Sequence, residues 1–113
     1  MIEVREYLER DGRSPFADWL DQVNSPAAEK VAVALYRLAN GNFSNVKGVG
    51  SGVFERRIDF GPGYRIYFGK DGERLIILLG GGSKQRQNRD IRQAMDRWAD
   101  YRSRKRQNNG SHA

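Results

Sequence analysis

Apolar and polar residues alternate from Ile2 to Tyr7, the period-two pattern of a half-buried strand. Asp11-Gly12 then marks a turn. Ser14-Pro15 reads as a helix cap followed by proline at the first helical position, where the missing N–H costs nothing. Phe16, Trp19, Leu20 and Val23 follow at helical spacing, so a short helix is expected to about residue 22. Ser25-Pro26 repeats the start signal, and Val31, Ala34, Leu35 and Leu38 form one apolar stripe over 27–39, ended by Asn40-Gly41. Two helices joined so closely predict a helical hairpin on a sheet, with Trp19, Leu20, Val31, Leu35 and Leu38 in the core.

Residues 42–52 are polar and glycine-rich and read as a loop. Three strands follow, at about 53–60, 64–69 and 75–79, joined by turns at Gly61-Pro62-Gly63 and Lys70-Asp71-Gly72. The last, "LIILL", is continuously apolar, which suits a central strand covered on both faces. Gly80-Gly81-Gly82 is expected to end it. From about residue 85, Ile91, Ala94, Met95, Trp98 and Tyr101 recur at helical spacing while Arg89, Arg92, Arg97 and Arg104 fall elsewhere, a basic amphipathic helix. The expected class is α+β: an antiparallel-rich sheet of about four strands in the order β-α-α-β-β-β-α, with an N-terminal helical hairpin and a C-terminal basic helix. One domain is expected over 1–106, with 107–113 a disordered tail.

Composition narrows the chemistry. At 113 residues the chain fits one domain with a real core. It has no cysteine, and its single histidine, His112, is next to last. Disulfides, thiolate metal sites and a cysteine nucleophile are excluded, and a histidine base or metal site is not expected; no metal or cofactor is implied. No apolar run reaches the ~20 residues of a membrane span, and the charged N-terminus is unlike a signal peptide, so a cytoplasmic protein is expected. The net charge of +6 is uneven. Residues 1–50 carry six basic and seven acidic side chains, whereas 51–113 carry fourteen and seven, most of the fourteen being arginine. Such asymmetry points to a polyanion, and arginine's planar fork suits phosphate; a merely solvated basic surface is the plainer alternative.

The charge concentrates on "FERRIDFGPGYRIYFG". With Phe60 facing Tyr64 across the turn, alternation puts Phe54, Ile58, Phe60, Tyr64, Ile66 and Phe68 on a core face, with Arg56 the exception near its edge. Glu55, Arg57, Asp59, Arg65 and Tyr67 fall on the other, expected to be a charged surface. Pairs such as Asp59–Arg65 and Glu55–Arg57 would account for one arginine and leave the other free to meet a phosphate, with Tyr67 to stack on a base. Lys84, Arg86 and Arg89 add charge beyond the glycines. Backbone N–H groups at that strand-to-helix junction can hold an anion, although the Walker spacing is absent.

The block "GPGYRIYF", the Gly-Gly-x-x-Lys after the last strand and the Gln-x-x-Asp-Ile of the closing helix together resemble the RelE/HigB-type toxins of bacterial toxin–antitoxin modules, in particular their compact phage-derived branch. The resemblance covers nearly the whole chain, is weakest in 1–50 and stops near residue 106. It implies a small RelE-like fold and a metal-independent endoribonuclease that cleaves mRNA on the translating ribosome. It also implies neutralisation by a cognate helix-turn-helix antitoxin. Position by position it implies catalytic roles for Arg57 and Arg65 and, as the cation after the last strand, for Lys84 or Arg86, both of which are kept as catalytic candidates. Lys47, Arg56, Tyr67, Gln87 and Arg89 are the RNA contacts expected around them. Glu55 stands where some relatives carry lysine, and Gln87 lies near the position of their stacking aromatic. Arginine is a poor base, so Lys84, or less readily Lys47, is the candidate for moving a proton. The competing expectations are a ParE-like inhibitor of DNA gyrase and a non-catalytic RNA- or ribosome-binding module.

Overall fold

In the computed structural model, which describes residues 1–110, eight principal elements follow one another: β1 (Glu3–Glu6), α1 (Pro15–Leu20), α2 (Ser25–Ala39), β2 (Val46–Gly50), β3 (Val53–Ile58), β4 (Tyr64–Lys70), β5 (Leu75–Ser83) and α3 (Gln87–Gly110). A single 3-10 turn, Lys84–Arg86, joins β5 to α3. The strands form one mixed sheet in the order β1-β5-β4-β3-β2, parallel between β1 and β5 and antiparallel elsewhere. The α+β class holds, with five strands rather than about four.

The added strand, β2, lies in the segment expected to be a loop. Its sequence, VKGVG, is too glycine-rich to read as a strand, but pairing with β3 supplies what propensity does not. The glycines after "LIILL" likewise continue β5 instead of ending it. Each is a place of close approach: a Cβ on Gly81 would lie 2.2 Å from the Trp19 ring, and one on Gly82 would lie 1.9 Å from Asp90 Oδ2.

The helix starts are those the caps dictate. Ser14 Oγ accepts from the Ala17 N–H at 3.0 Å, and Asn24 Oδ1 accepts from the Ala27 N–H at 2.9 Å. The second cap is therefore Asn24, one residue before the expected Ser25, and Pro26 sits inside the first turn. Neither helix needs the other as its main support, since α1 packs on β5 and α2 on β3 and β1. The closing helix runs to Gly110, past the expected end near 106; the remainder of the expected tail, 111–113, lies outside the described residues.

The apolar run of β5 serves two cores. Ile76 and Leu78 join Phe16, Val31, Leu38, Ile66 and Phe68 beneath α1 and α2. Ile77 and Leu79 join Tyr7, Val53, Tyr67, Ala94 and Trp98 beneath α3. Burial of each large side chain contributes about 1.5–3 kcal/mol, so the face expected to be solvated is half core. Between β3 and β4 the register pairs Ile58 with Tyr64, two residues from the expected Phe60–Tyr64 pairing. A two-residue offset preserves which side chains share a face. Gly61 and Gly63, at φ of 56° and 87°, turn the chain over the extra loop.

Candidate functional site

Where α3 begins, its first turns leave part of the sheet uncovered. There Arg57 and Arg65 stand opposite one another on β3 and β4. Lys47 of β2 pairs with Glu55 of β3, which in turn pairs with Tyr67 of β4. Asn45, Val46, Lys47, Glu55, Arg57 and Arg65 line a cleft of about 180 Å³.

Glu55 organises this cleft, although only 1% of its surface is exposed. Gln87 Nε2 donates to Glu55 Oε2 at 2.8 Å. Oε1 faces Arg65 Nε at 3.5 Å and Lys47 Nζ at 3.8 Å. The pairs expected from the sequence, Glu55–Arg57 and Asp59–Arg65, give way to Arg57–Asp59 at 3.2 Å, on the exposed rim, and to Glu55–Arg65 within. The sequence missed Glu55 as an organiser because β3 lacked its β2 neighbour and α3 its place over the sheet. The available signal was its alternation onto the same face as Arg65 and Tyr67.

Arg65 is 8% exposed, and its Nε and Nη1 are buried without hydrogen-bond partners. An ion pair at 3.5 Å to a carboxylate that already serves two other groups leaves the guanidinium under-satisfied, which is costly in a dry site. The turn brings Lys84 to the same place: a Cβ on Gly63 would sit 3.9 Å from both Arg65 Nη1 and Lys84 Cβ. Gln87 enters through its bond to Glu55. Arg57, Lys47 and Lys84 are exposed, and Arg57 and Lys47 line the cleft.

Other expected site residues are placed differently. Tyr67 is 1% exposed and lies under α3, so no base can stack on its ring. Burial first, then the Glu55 charge, push its hydroxyl far above the usual phenol range, and it stays neutral. Arg56 is buried on the opposite face, where its guanidinium donates to the Arg57 carbonyl. Burial, then neighbouring Arg37, push it down from the ordinary arginine value. Neither residue can serve as an RNA contact in this arrangement. Arg86 and Arg89 are exposed beside the start of α3, Arg89 facing Asp90 at 3.4 Å.

Among the described residues no group of three or more acidic or histidine side chains is placed to hold a metal ion. No described helix is long and apolar enough to cross a membrane. No family model matches the chain. Over 80 residues it is 45% identical to an uncharacterized protein of Haemophilus influenzae, a match that spans 70% of this chain and 81% of that protein. The chain belongs to that protein's family. The α+β fold and the cleft described above are thus those of a member of this family.

Proposed function

We propose that this protein is a toxin of the RelE/HigB type, with a RelE-like fold, that cleaves mRNA on the translating ribosome in the cytoplasm and is held in check by a helix-turn-helix antitoxin. The observation that carries the reading is Arg65: a buried, under-bonded guanidinium at the edge of a small cleft lined by Arg57 and Lys47, with the backbone end of Lys84 nearby across the Gly63 turn. A group held so has fixed direction, and its unmet hydrogen bonds suit the oxygens of a phosphodiester.

In the proposed reaction the ribose 2′-hydroxyl attacks the adjacent phosphorus and the 5′-oxygen leaves. The products are a 2′,3′-cyclic phosphate and a 5′-hydroxyl. Negative charge gathers on the phosphoryl oxygens in the transition state, where Arg65 stabilises it from a fixed position and Arg57 adds charge from the exposed rim. In this reading Lys84 exchanges a proton with the reacting oxygens, taking it from the 2′-hydroxyl or giving it to the 5′-oxygen. Glu55 is too deep to touch substrate and acts by aiming Arg65, Lys47 and Gln87. The ribosome contributes by holding the RNA in line.

The test is induction in bacteria, with transcript 5′ ends mapped with and without ongoing translation. Cuts within coding regions that vanish when translation is blocked are the expected outcome. Intact transcripts together with inhibited supercoiling by purified gyrase would replace this reading with the gyrase one.

A further inference from the structure

A second concentration of positive charge lies at the opposite end of the sheet. β4 runs five residues from Arg65 to Lys70, about 17 Å at the usual rise of a strand. There a groove of about 450 Å³ separates the sheet from the last turns of α3, lined by Phe54, Lys70, Trp98, Arg102, Lys105 and Arg106 among others. Its one carboxylate, Asp71, is already engaged, accepting from the Tyr101 hydroxyl and the Lys105 ammonium, both at 2.6 Å. Trp98 and Tyr101 stack at 5.3 Å with their rings 6° from parallel and give the groove a rigid wall. Lys70 Nζ sits 4.1 Å from the Phe43 ring centre and 4.9 Å from that of Phe54.

Arg102 and Arg106 are exposed, four residues apart on α3, and neither has an ion-pair partner among the described residues. Like charges at this spacing disfavour a helix. Two residues before Arg106 the same helix pairs Arg104 with Asp100 at 2.7 Å, and at the groove Asp71 is spent on Lys105, which leaves the charges of Arg102 and Arg106 unneutralised. Their backbone positions stand about one helical turn, roughly 6 Å, apart along the helix, a spacing that suits successive phosphates. A protein partner would need an apolar anchor, but the large exposed apolar residues, Met1, Leu8, Val33 and Tyr36, do not line the groove.

We infer that this groove binds the phosphodiester backbone of a single-stranded nucleic acid, at a place separate from the Arg65 cleft. Arg102 and Arg106 clasp phosphates, Lys70 adds charge from the sheet side, and the part-exposed Tyr101, rather than the buried Trp98 it stacks on, offers a ring to a base. The inference stands whether or not the cleft cleaves RNA.

The experiment is fluorescence anisotropy of the full chain with a labelled oligouridylate and its deoxy counterpart over a range of salt. The double variant Arg102→Ala/Arg106→Ala should weaken binding about tenfold and lower the slope of log affinity against log salt by about 1.4, two phosphate contacts on a single strand. Arg10→Ala/Arg37→Ala, which removes two other exposed arginines, should leave the slope unchanged. The oligonucleotide bound more tightly identifies RNA or DNA as the source of the backbone. An unchanged slope in the groove variant, an equal loss in the control, or polyglutamate binding as tightly as either oligonucleotide would overturn the inference.

Discussion

Glu55 and Arg65 form a buried pair whose members are unequally dependent on each other. Without Arg65, the carboxylate keeps its Gln87 bond and Lys47. Without Glu55, Arg65 has no counter-ion among the described residues. Glu55→Ala should therefore cost about 3–5 kcal/mol, the usual result of orphaning a buried charge, and Arg65→Ala only about 1–2 kcal/mol. If the proposed toxin function holds, Arg65→Ala should also abolish growth arrest on induction. Urea unfolding of the purified variants checks the order, and a reversed order would mean that Arg65 is primarily structural. A second residue-scale expectation concerns pH. Hydrogen bonds from Lys105 and then Tyr101 hold Asp71 below its ordinary 3.8, so its contribution is full above that value and is lost as pH falls through the depressed one. Burial, then the bond to Asp71, push Tyr101 up from 10.0 to about 12, so its contribution is full below pH 10 and is lost as pH rises from there to about 12. Thermal midpoints measured across pH should fall at both ends, with Asp71→Asn flattening the acid limb and Tyr101→Phe reducing the alkaline slope.

At the scale of elements, β5 shows how a strand's identity can rest on what it must leave room for. Its three glycines look like a terminator, yet Trp19, Asp90 and Arg97 occupy the space where their Cβ atoms would be. Gly82→Ala should destabilise by about 1–3 kcal/mol through overpacking against Asp90, whose carboxylate is itself nearly buried. Gly12→Ala meets no neighbour within 4 Å and pays only for its φ of 87°, about 1–2 kcal/mol at most. Chemical denaturation of the two variants decides the matter; a smaller loss at Gly82 would show that α3 shifts freely away from β5, contrary to a fixed cleft. The same element argument explains β2. A glycine-rich edge strand carries little propensity of its own, and its existence depends on β3 being there to pair with it.

Across the whole molecule, one sheet joins two cores, so neither face can be lost without exposing the other side of β5. Trp19 reports on the core beneath α1 and Trp98 on the core beneath α3. Single-tryptophan variants, Trp19→Phe and Trp98→Phe, should each show one cooperative fluorescence transition whose midpoint matches the circular-dichroism midpoint of the same variant. Separate fluorescence and dichroism midpoints would mean that the layers unfold independently and that α3 is a detachable cover. The distribution of charge has the same global character. The two cationic openings, the cleft and the groove, lie at opposite ends of the strands because α3 crosses the sheet: Gln87, just after the turn that carries Lys84, lies near one end and Arg102 and Arg106 near the other.

The sequence by itself determined the local features. Caps at Ser14, apolar stripes on α2 and α3, the turn at Gly61-Pro62-Gly63, and the continuous apolar run of β5 are short-range patterns that physical chemistry reads residue by residue. Alternation also placed Glu55, Arg57, Arg65 and Tyr67 on one face, a result that survived a two-residue error in register. Only the tertiary structure decided which of those four meet water. Burial depends on what covers a face, and the cover, α3, begins at Gln87, 32 positions after Glu55. It turned Tyr67 into core, made Glu55 the hidden organiser of the cleft, and left Arg65 at its edge with hydrogen bonds still to give.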